Sequence, residues 1–150
     1  MKNFHHEEHE EHEEKRKKAT KERKGSTMQF DTLSNRVIGC AIEVHRELGP
    51  GLLESTYRAC LSHELTLQGI PHRIEAPVKV IYKGLEVECG YRIDILVDES
   101  LVLELKSVSD LLPIHEAQLL TYMKLANKSI GLLMNFNEVR LKDGIKRMVL

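Results

Sequence analysis

Two short apolar runs separated by a polar turn constrain the fold of this chain most strongly. Residues 93–97 and 101–105 consist mainly of Ile, Leu and Val, and the polar triplet 98–100 lies between them. Short runs of this composition, bounded by turn residues, are typical of buried β-strands. We therefore expect the rest of the chain to pack around a sheet that contains these two strands.

Three charged residues interrupt these apolar strands. Asp94 lies in the first strand, and Glu104 and Lys106 share one face of the second, because alternate side chains of a strand point to opposite sides. An unpaired charge in an apolar sheet costs several kcal/mol, so such groups need ionic partners or a metal. Carboxylates are the hard oxygen ligands that Mg²⁺ prefers, and the lysine adds a fixed positive charge. The three residues predict a site that handles phosphate.

The other elements alternate between helical periodicity and short β-branched runs. Glycine and proline at residues 49–51 end the first helix. The pattern predicts helices over about 31–48, 52–68 and 113–126, and strands over about 71–74, 77–82, 85–89, 130–136 and 146–150. In the second helix the positions predicted to face the core include Leu53, Leu61, Leu65 and Leu67. This order fits an α/β (α+β) fold with a central mixed β-sheet flanked by helices.

Composition limits the class of protein. The chain has 150 residues, enough for one domain with its own core, and a formal net charge of −1. A near-neutral charge excludes attraction to nucleic acid through the field of the whole protein, so phosphate contacts must come from a local patch. Three scattered cysteines without a CxxC spacing indicate free thiols in a reducing compartment. With neither a membrane-length apolar run nor a signal-peptide core, the expected location is cytoplasmic.

The N-terminal residues differ in composition from the rest of the chain. Histidine and glutamate fill residues 5–14, and lysine and arginine follow from residue 15. A segment with so few apolar residues cannot offset the entropy cost of ordering, so we expect a disordered tail over 1–27 and a folded domain over 28–150. Metal binding by the histidines and phosphate contact by the basic part are alternatives, and a partner of the tail is left open.

The spacing of the charged residues resembles that of the PD-(D/E)XK nuclease superfamily, in which a metal-binding Asp precedes a Glu-x-Lys on the next strand. The chain is also similar to the small family named for its GxxExxY motif, which is read here at residues 51–57. Further similarity lies in residues 37–45, 82–84, 91–94, 115–122 and 131–136, so the resemblance extends over roughly 33–150. It implies a restriction-endonuclease-like (PD-(D/E)XK) core.

The resemblance implies a set of metal ligands. Asp94 and Glu104 would bind Mg²⁺ or Mn²⁺, with the backbone carbonyl of Leu105 as a further ligand. Glu54, from the second helix, would add a carboxylate to the same site or orient a metal-bound water. Because magnesium takes one or two carboxylates besides water and phosphate, this sparse set is adequate.

The resemblance also assigns roles to residues around these ligands. Lys106 would hold the attacking water or hydroxide and stabilise charge on the phosphate. Gln118 would position Lys106 or that water, and Tyr57 and Tyr122 would support the site.

Three hypotheses of different classes follow. The first is a metal-dependent nuclease acting on nucleic acid, with DNA favoured as the substrate. Its candidate backbone contacts are Lys79, Lys83, Arg92, Lys124 and Lys128. The alternative is a non-cleaving module that binds nucleic acid or protein on the same fold. The third is a buried ion-pair network without chemistry. The complete set of site residues favours the nuclease. No membrane partner is expected, and whether the chain forms a homodimer is left open.

Overall fold

The computed structural model describes residues 32–150 of the chain. The predicted tail over 1–27 therefore lies outside the described residues. Residues Val37–Leu150 form one compact unit, which contains the sheet and the candidate site. Within residues 32–150, every helix lacks the length or the apolar character that crossing a lipid bilayer requires.

Three α-helices and seven strands make up the described part of the chain. The helices are α1 over 32–48, α2 at Glu54–Leu67 and α3 at Pro113–Leu125. The strands are β1 His72–Pro77, β2 Val80–Tyr82, β3 Leu85–Val87, β4 Arg92–Val97, β5 Leu101–Lys106, β6 Ile130–Asn135 and β7 Ile145–Val149. A short 3₁₀ helix, Leu141–Gly144, precedes β7.

Five of the strands form one mixed sheet in the order β1-β4-β5-β6-β7. β5 and β6 run parallel, and the other neighbours are antiparallel. α3 lies between β5 and β6 in the chain and supplies the crossover that a parallel pair needs. β2 and β3 form a separate two-stranded hairpin. The predicted central mixed sheet with flanking helices is confirmed.

The sheet buries α3 against one side of its central strands. Leu119 and Met123 of α3 belong to one core cluster with Val102 of β5 and Leu133 of β6. Every residue of β6 is buried, which confirms the predicted strand covered on both faces. Gly131 allows the close approach of α3, because a Cβ there would lie 2.7 Å from Met123 Sδ.

The predicted boundary between the first two strands is wrong. β1 continues to Pro77, whereas β2 begins only at Val80. The alternating run after Pro77 favours a strand that starts at this proline. Proline is instead tolerated at the end of β1 because this strand lies at the edge of the sheet, where a missing N–H breaks no ladder on the open side.

α2 buries fewer leucines than predicted. Leu61 and Leu65 are buried, together with Tyr57 one turn earlier. Leu53 is 74% exposed and Leu67 is 63% exposed, so both predicted core positions are wrong. Leu53 precedes the first helical residue, and Leu67 lies two residues past Leu65, on a different side of the helix.

Leu103 of β5 offers a test of the packed core, because its side chain is fully buried. Leu103→Ala leaves a cavity, and we expect the free energy of unfolding to fall by about 2–5 kcal/mol. Leu67→Ala is the matched control, since changes at exposed positions usually stay within about 0.5 kcal/mol. Urea denaturation measures both values, and similar losses in the two variants would contradict the burial of Leu103.

Candidate active site

β4 and β5 separate before their ends. Their mutual pairing stops at Ile95 and Leu103, although β4 begins three residues earlier, at Arg92, and β5 runs on to Lys106. β4 remains paired with β1 as far as Arg92, and β5 remains paired with β6 as far as Lys106. The two central strands therefore open a gap between them while each stays attached to its outer neighbour.

Two carboxylates occupy this gap. Continuing the register by one residue places Asp94 opposite Glu104. The N–H of Asp94 donates to Glu104 Oε1 at 3.3 Å, and the N–H of Leu105 donates to Asp94 Oδ2 at 2.8 Å. In a continuous ladder these two N–H groups would donate to backbone carbonyls of the opposite strand. Here they donate to the two carboxylates instead. This exchange fixes both carboxylates in the sheet rather than on its surface.

The carboxylates are close together in surroundings that disfavour charge. Glu104 is 5% exposed. Burial, and then repulsion from Asp94, raises the pKa of Glu104 to about 8. Burial also raises the pKa of Asp94, while the hydrogen bond from Leu105 and the charge of Arg58 oppose this rise. Two carboxylates that cannot easily carry a negative charge at the same time are stabilised by a proton on one of them or by a bound cation.

A hydrogen-bonded chain extends from the last residue of β5 to α3. Lys106 Nζ donates to Gln118 Oε1 at 3.2 Å, and Gln118 Nε2 donates to the Tyr122 hydroxyl at 3.2 Å. The two bonds fix which end of the Gln118 amide faces the lysine. Burial raises the pKa of the Tyr122 hydroxyl, which keeps it protonated. The structure therefore brings together the predicted lysine, glutamine and tyrosine next to the carboxylates.

Glu54 connects the start of α2 to the end of β5. Its Oε1 accepts a hydrogen bond from the N–H of Ser107 at 3.3 Å, and the Ser107 hydroxyl donates to the carbonyl of Leu52 at 2.6 Å. Glu54 is also near enough to Asp94 for its charge to raise the pKa of that residue. The predicted third carboxylate thus lies at the edge of the gap.

Tyr57 supports the segment that positions Glu54. Its ring is fully buried and stacks on Phe136, with 4.5 Å between ring centroids. Its hydroxyl donates to the carbonyl of Gly49 at 2.6 Å and accepts from the N–H of Leu52 at 3.1 Å. Gly51, at φ 95, takes the left-handed conformation that this tight turn requires. The tyrosine therefore holds the loop before α2, whereas Tyr122 contacts the site itself.

Sequence reasoning missed two residues. Arg58 lies one helical turn after Glu54, and its guanidinium is 3.7 Å from Asp94 and 3.4 Å from Glu75. Asn135 is fully buried and holds the segment after β5, because its amide donates to the carbonyl of Val108 at 2.9 Å and accepts from the same residue's N–H at 3.1 Å. The sequence offers one signal for Arg58: it follows Glu54 by four residues, so the two side chains lie on the same face of α2.

The five residues predicted to contact nucleic acid are spread over separate parts of the fold. Lys79 precedes β2 and pairs with Glu86 at 3.9 Å, and Lys83, in the turn of the same hairpin, lies 5.3 Å from the centroid of the Tyr82 ring. Arg92 begins β4, Lys124 lies in the last turn of α3, and Lys128 lies between α3 and β6. The structure leaves their role as a prediction.

The arrangement fits a divalent cation held by oxygen atoms. In the described range no group of three or more His, Cys, Asp or Glu side chains is placed to hold a metal ion. This argues against a cage made wholly of such side chains, but magnesium keeps several waters and takes one or two carboxylates. Asp94 and Glu104 would supply that pair, and a cation would relieve their mutual repulsion in the buried gap.

A mixed sheet with two carboxylates and a lysine where its central strands separate defines a nuclease-like domain. The family model of the PD-(D/E)XK nuclease superfamily matches residues 31–148, and the chain belongs to this superfamily. Comparison with curated proteins and comparison with solved structures gave no match. Membership confirms the predicted superfamily, and the narrower similarity to the GxxExxY family stays a prediction.

Proposed function

We propose that the protein is a metal-dependent nuclease that hydrolyses phosphodiester bonds, with DNA as the substrate. The observation that carries this proposal is the gap between β4 and β5, where Asp94 lies across from Glu104 and Lys106 follows on the same face. Membership of a nuclease superfamily supports the same chemistry.

Asp94 and Glu104 would hold Mg²⁺ or Mn²⁺, and Glu54 would orient a water at the edge of the site. A bound divalent cation lowers the pKa of its water and polarises a phosphoryl oxygen. The protein's own contribution is to keep two carboxylates fixed by backbone N–H groups, so that no reorganisation is needed when a phosphate arrives.

Lys106 would stabilise the negative charge that develops on the phosphate. Its ammonium group is held by Gln118, and Tyr122 holds Gln118 in turn. A positive charge placed in advance beside a buried site acts more strongly than one in water, because the local dielectric constant is lower. These two hydrogen bonds orient the Lys106 side chain. They leave its positive charge uncompensated, because the hydrogen-bond partner is a neutral amide.

Titration of Mg²⁺ into the full chain tests the proposal. Magnesium is chosen because it prefers oxygen ligands to the imidazoles of the histidine-rich N-terminus. We expect calorimetric heat of binding in the parent and its loss in Asp94→Asn, which removes the charge but keeps the shape. Asp143→Asn, in the 3₁₀ helix, is the control and should bind like the parent. Equal binding by Asp94→Asn and the parent would overturn the metal site.

A further inference from the structure

Arg58 of α2 lies between two carboxylates from neighbouring strands. Its Nη2 is 3.4 Å from Glu75 Oε1 of β1, and its Nη1 is 3.7 Å from Asp94 Oδ1 of β4. The Arg58 side chain is 26% exposed, so water screens these contacts only in part. The guanidinium thus shares its charge between one residue of the proposed metal site and one residue outside it.

The two oxygens of Asp94 have different surroundings. Oδ2 accepts the N–H of Leu105 at 2.8 Å and is fixed by the backbone. Oδ1 faces the guanidinium of Arg58. A cation that approaches Asp94 through Oδ1 therefore meets a positive charge that is already there. The guanidinium of an arginine keeps its positive charge in proteins, so it can make room for a cation only by moving.

We propose that Arg58 sets the affinity of this site for divalent cations by competing for Asp94 Oδ1, and that Glu75 limits the competition by holding the guanidinium on its other side. The inference rests on the proposed metal site at Asp94 and Glu104. With a divalent cation absent, Arg58 offsets part of the negative charge in the gap. On cation binding, the guanidinium moves toward Glu75, to which it is already paired.

The proposal gives opposite signs for two neutral substitutions. Arg58→Gln removes the competitor, and we expect Mg²⁺ to bind roughly two- to fivefold more tightly, the range that a partly exposed ion pair supports. Glu75→Gln leaves Arg58 with Asp94 alone, and we expect weaker Mg²⁺ binding by a roughly similar factor. Arg58→Lys keeps the charge and should stay near the parent value. A purely structural arginine would give weaker binding when removed, because a loosened site binds less well.

Calorimetric titration of Mg²⁺ into the full chain measures these affinities. Arg46→Gln is the matched control, because Arg46 forms an exposed ion pair with Glu43 at 3.0 Å on α1. Unchanged or weaker binding in Arg58→Gln, or tighter binding in Glu75→Gln, would overturn the inference. Asp94→Asn separates the two proposals. If it binds Mg²⁺ like the parent, the metal site itself fails. If it loses binding while Arg58→Gln matches the parent, only the role of Arg58 fails.

Discussion

Lys106→Met is expected to slow DNA cleavage by roughly 10²–10³-fold in kcat, the usual cost of removing one group that stabilises charge in the transition state. Methionine matches the apolar stem of lysine as far as Cε but cannot neutralise a phosphate or donate to Gln118. The fold should persist, because the substitution removes a single hydrogen bond, the one to Gln118 Oε1. Initial rates on a labelled DNA in the presence of Mg²⁺ measure the effect.

Lys142→Met provides the control for this substitution. Lys142 is exposed in the 3₁₀ helix before β7 and is not one of the proposed site residues. Its variant should cleave at the parent rate. If Lys106→Met stayed within about twofold of the parent, the lysine would have no part in stabilising the transition state.

In the absence of a divalent cation, stability should fall as the pH rises from about 4.5 to about 8, the range between the ordinary and the folded-state pKa of Glu104. The folded state binds this proton more tightly than the unfolded chain does. Its stabilising contribution is therefore complete below the unfolded-state pKa and is lost as the pH rises through the folded-state value. Asp94 acts in the same direction, because its pKa is also raised. For one proton the slope is at most about 1.4 kcal/mol per pH unit.

Glu104→Gln isolates this effect from other titrating groups. Glutamine can still accept the N–H of Asp94, but it carries no charge at any pH, and it removes the repulsion on Asp94. We expect the variant to be more stable than the parent at pH 8 in EDTA, with a flatter dependence on pH. Thermal melts of both proteins across this pH range give the comparison. Parallel curves for the two proteins would contradict the account of Glu104.

Greater stability of Glu104→Gln would mean that the carboxylate pair costs stability in the free protein. Replacing a buried charged group by a neutral isostere often stabilises a protein. Added Mg²⁺ should narrow the difference between parent and Glu104→Gln, because a ligand that binds only the folded state stabilises it. Binding of Mg²⁺ would then offset the loss of stability that the charged Glu104 causes in the free protein.

The sheet and the acidic pair could be predicted from the sequence because the pattern of β4 and β5 is strong. Apolar runs this regular leave few alternatives to buried strands, and a charge inside such a run is a conflict that marks a functional site. The continuous apolar run of β6 is equally clear, and all of its residues are buried. These signals are local, so they predict the strands without knowledge of which strands pair.

Features that depend on tertiary contacts could not be predicted in the same way. The separation of β4 from β5 beyond the pair Ile95 and Leu103 has no marker in the sequence other than the two carboxylates that fill it. Arg58 has no sequence signal beyond its spacing of four from Glu54, and only the packing of α2 places it between Glu75 and Asp94. β1 can include Pro77 because it lies at the edge of the sheet. That position is known only from the spatial order of the strands in the sheet.

The most direct test of the central claim is a cleavage assay on single-stranded and double-stranded DNA, with RNA of the same sequence alongside. The parent and Asp94→Asn are compared in Mg²⁺, and the parent is also assayed in EDTA. The account predicts cleavage of DNA by the parent in Mg²⁺, and loss of that cleavage both in EDTA and in the variant. If only RNA were cleaved, the substrate would be RNA rather than DNA. Equal cleavage by the parent and Asp94→Asn, or none by the parent despite Mg²⁺ binding, would contradict a nuclease centred on this carboxylate pair.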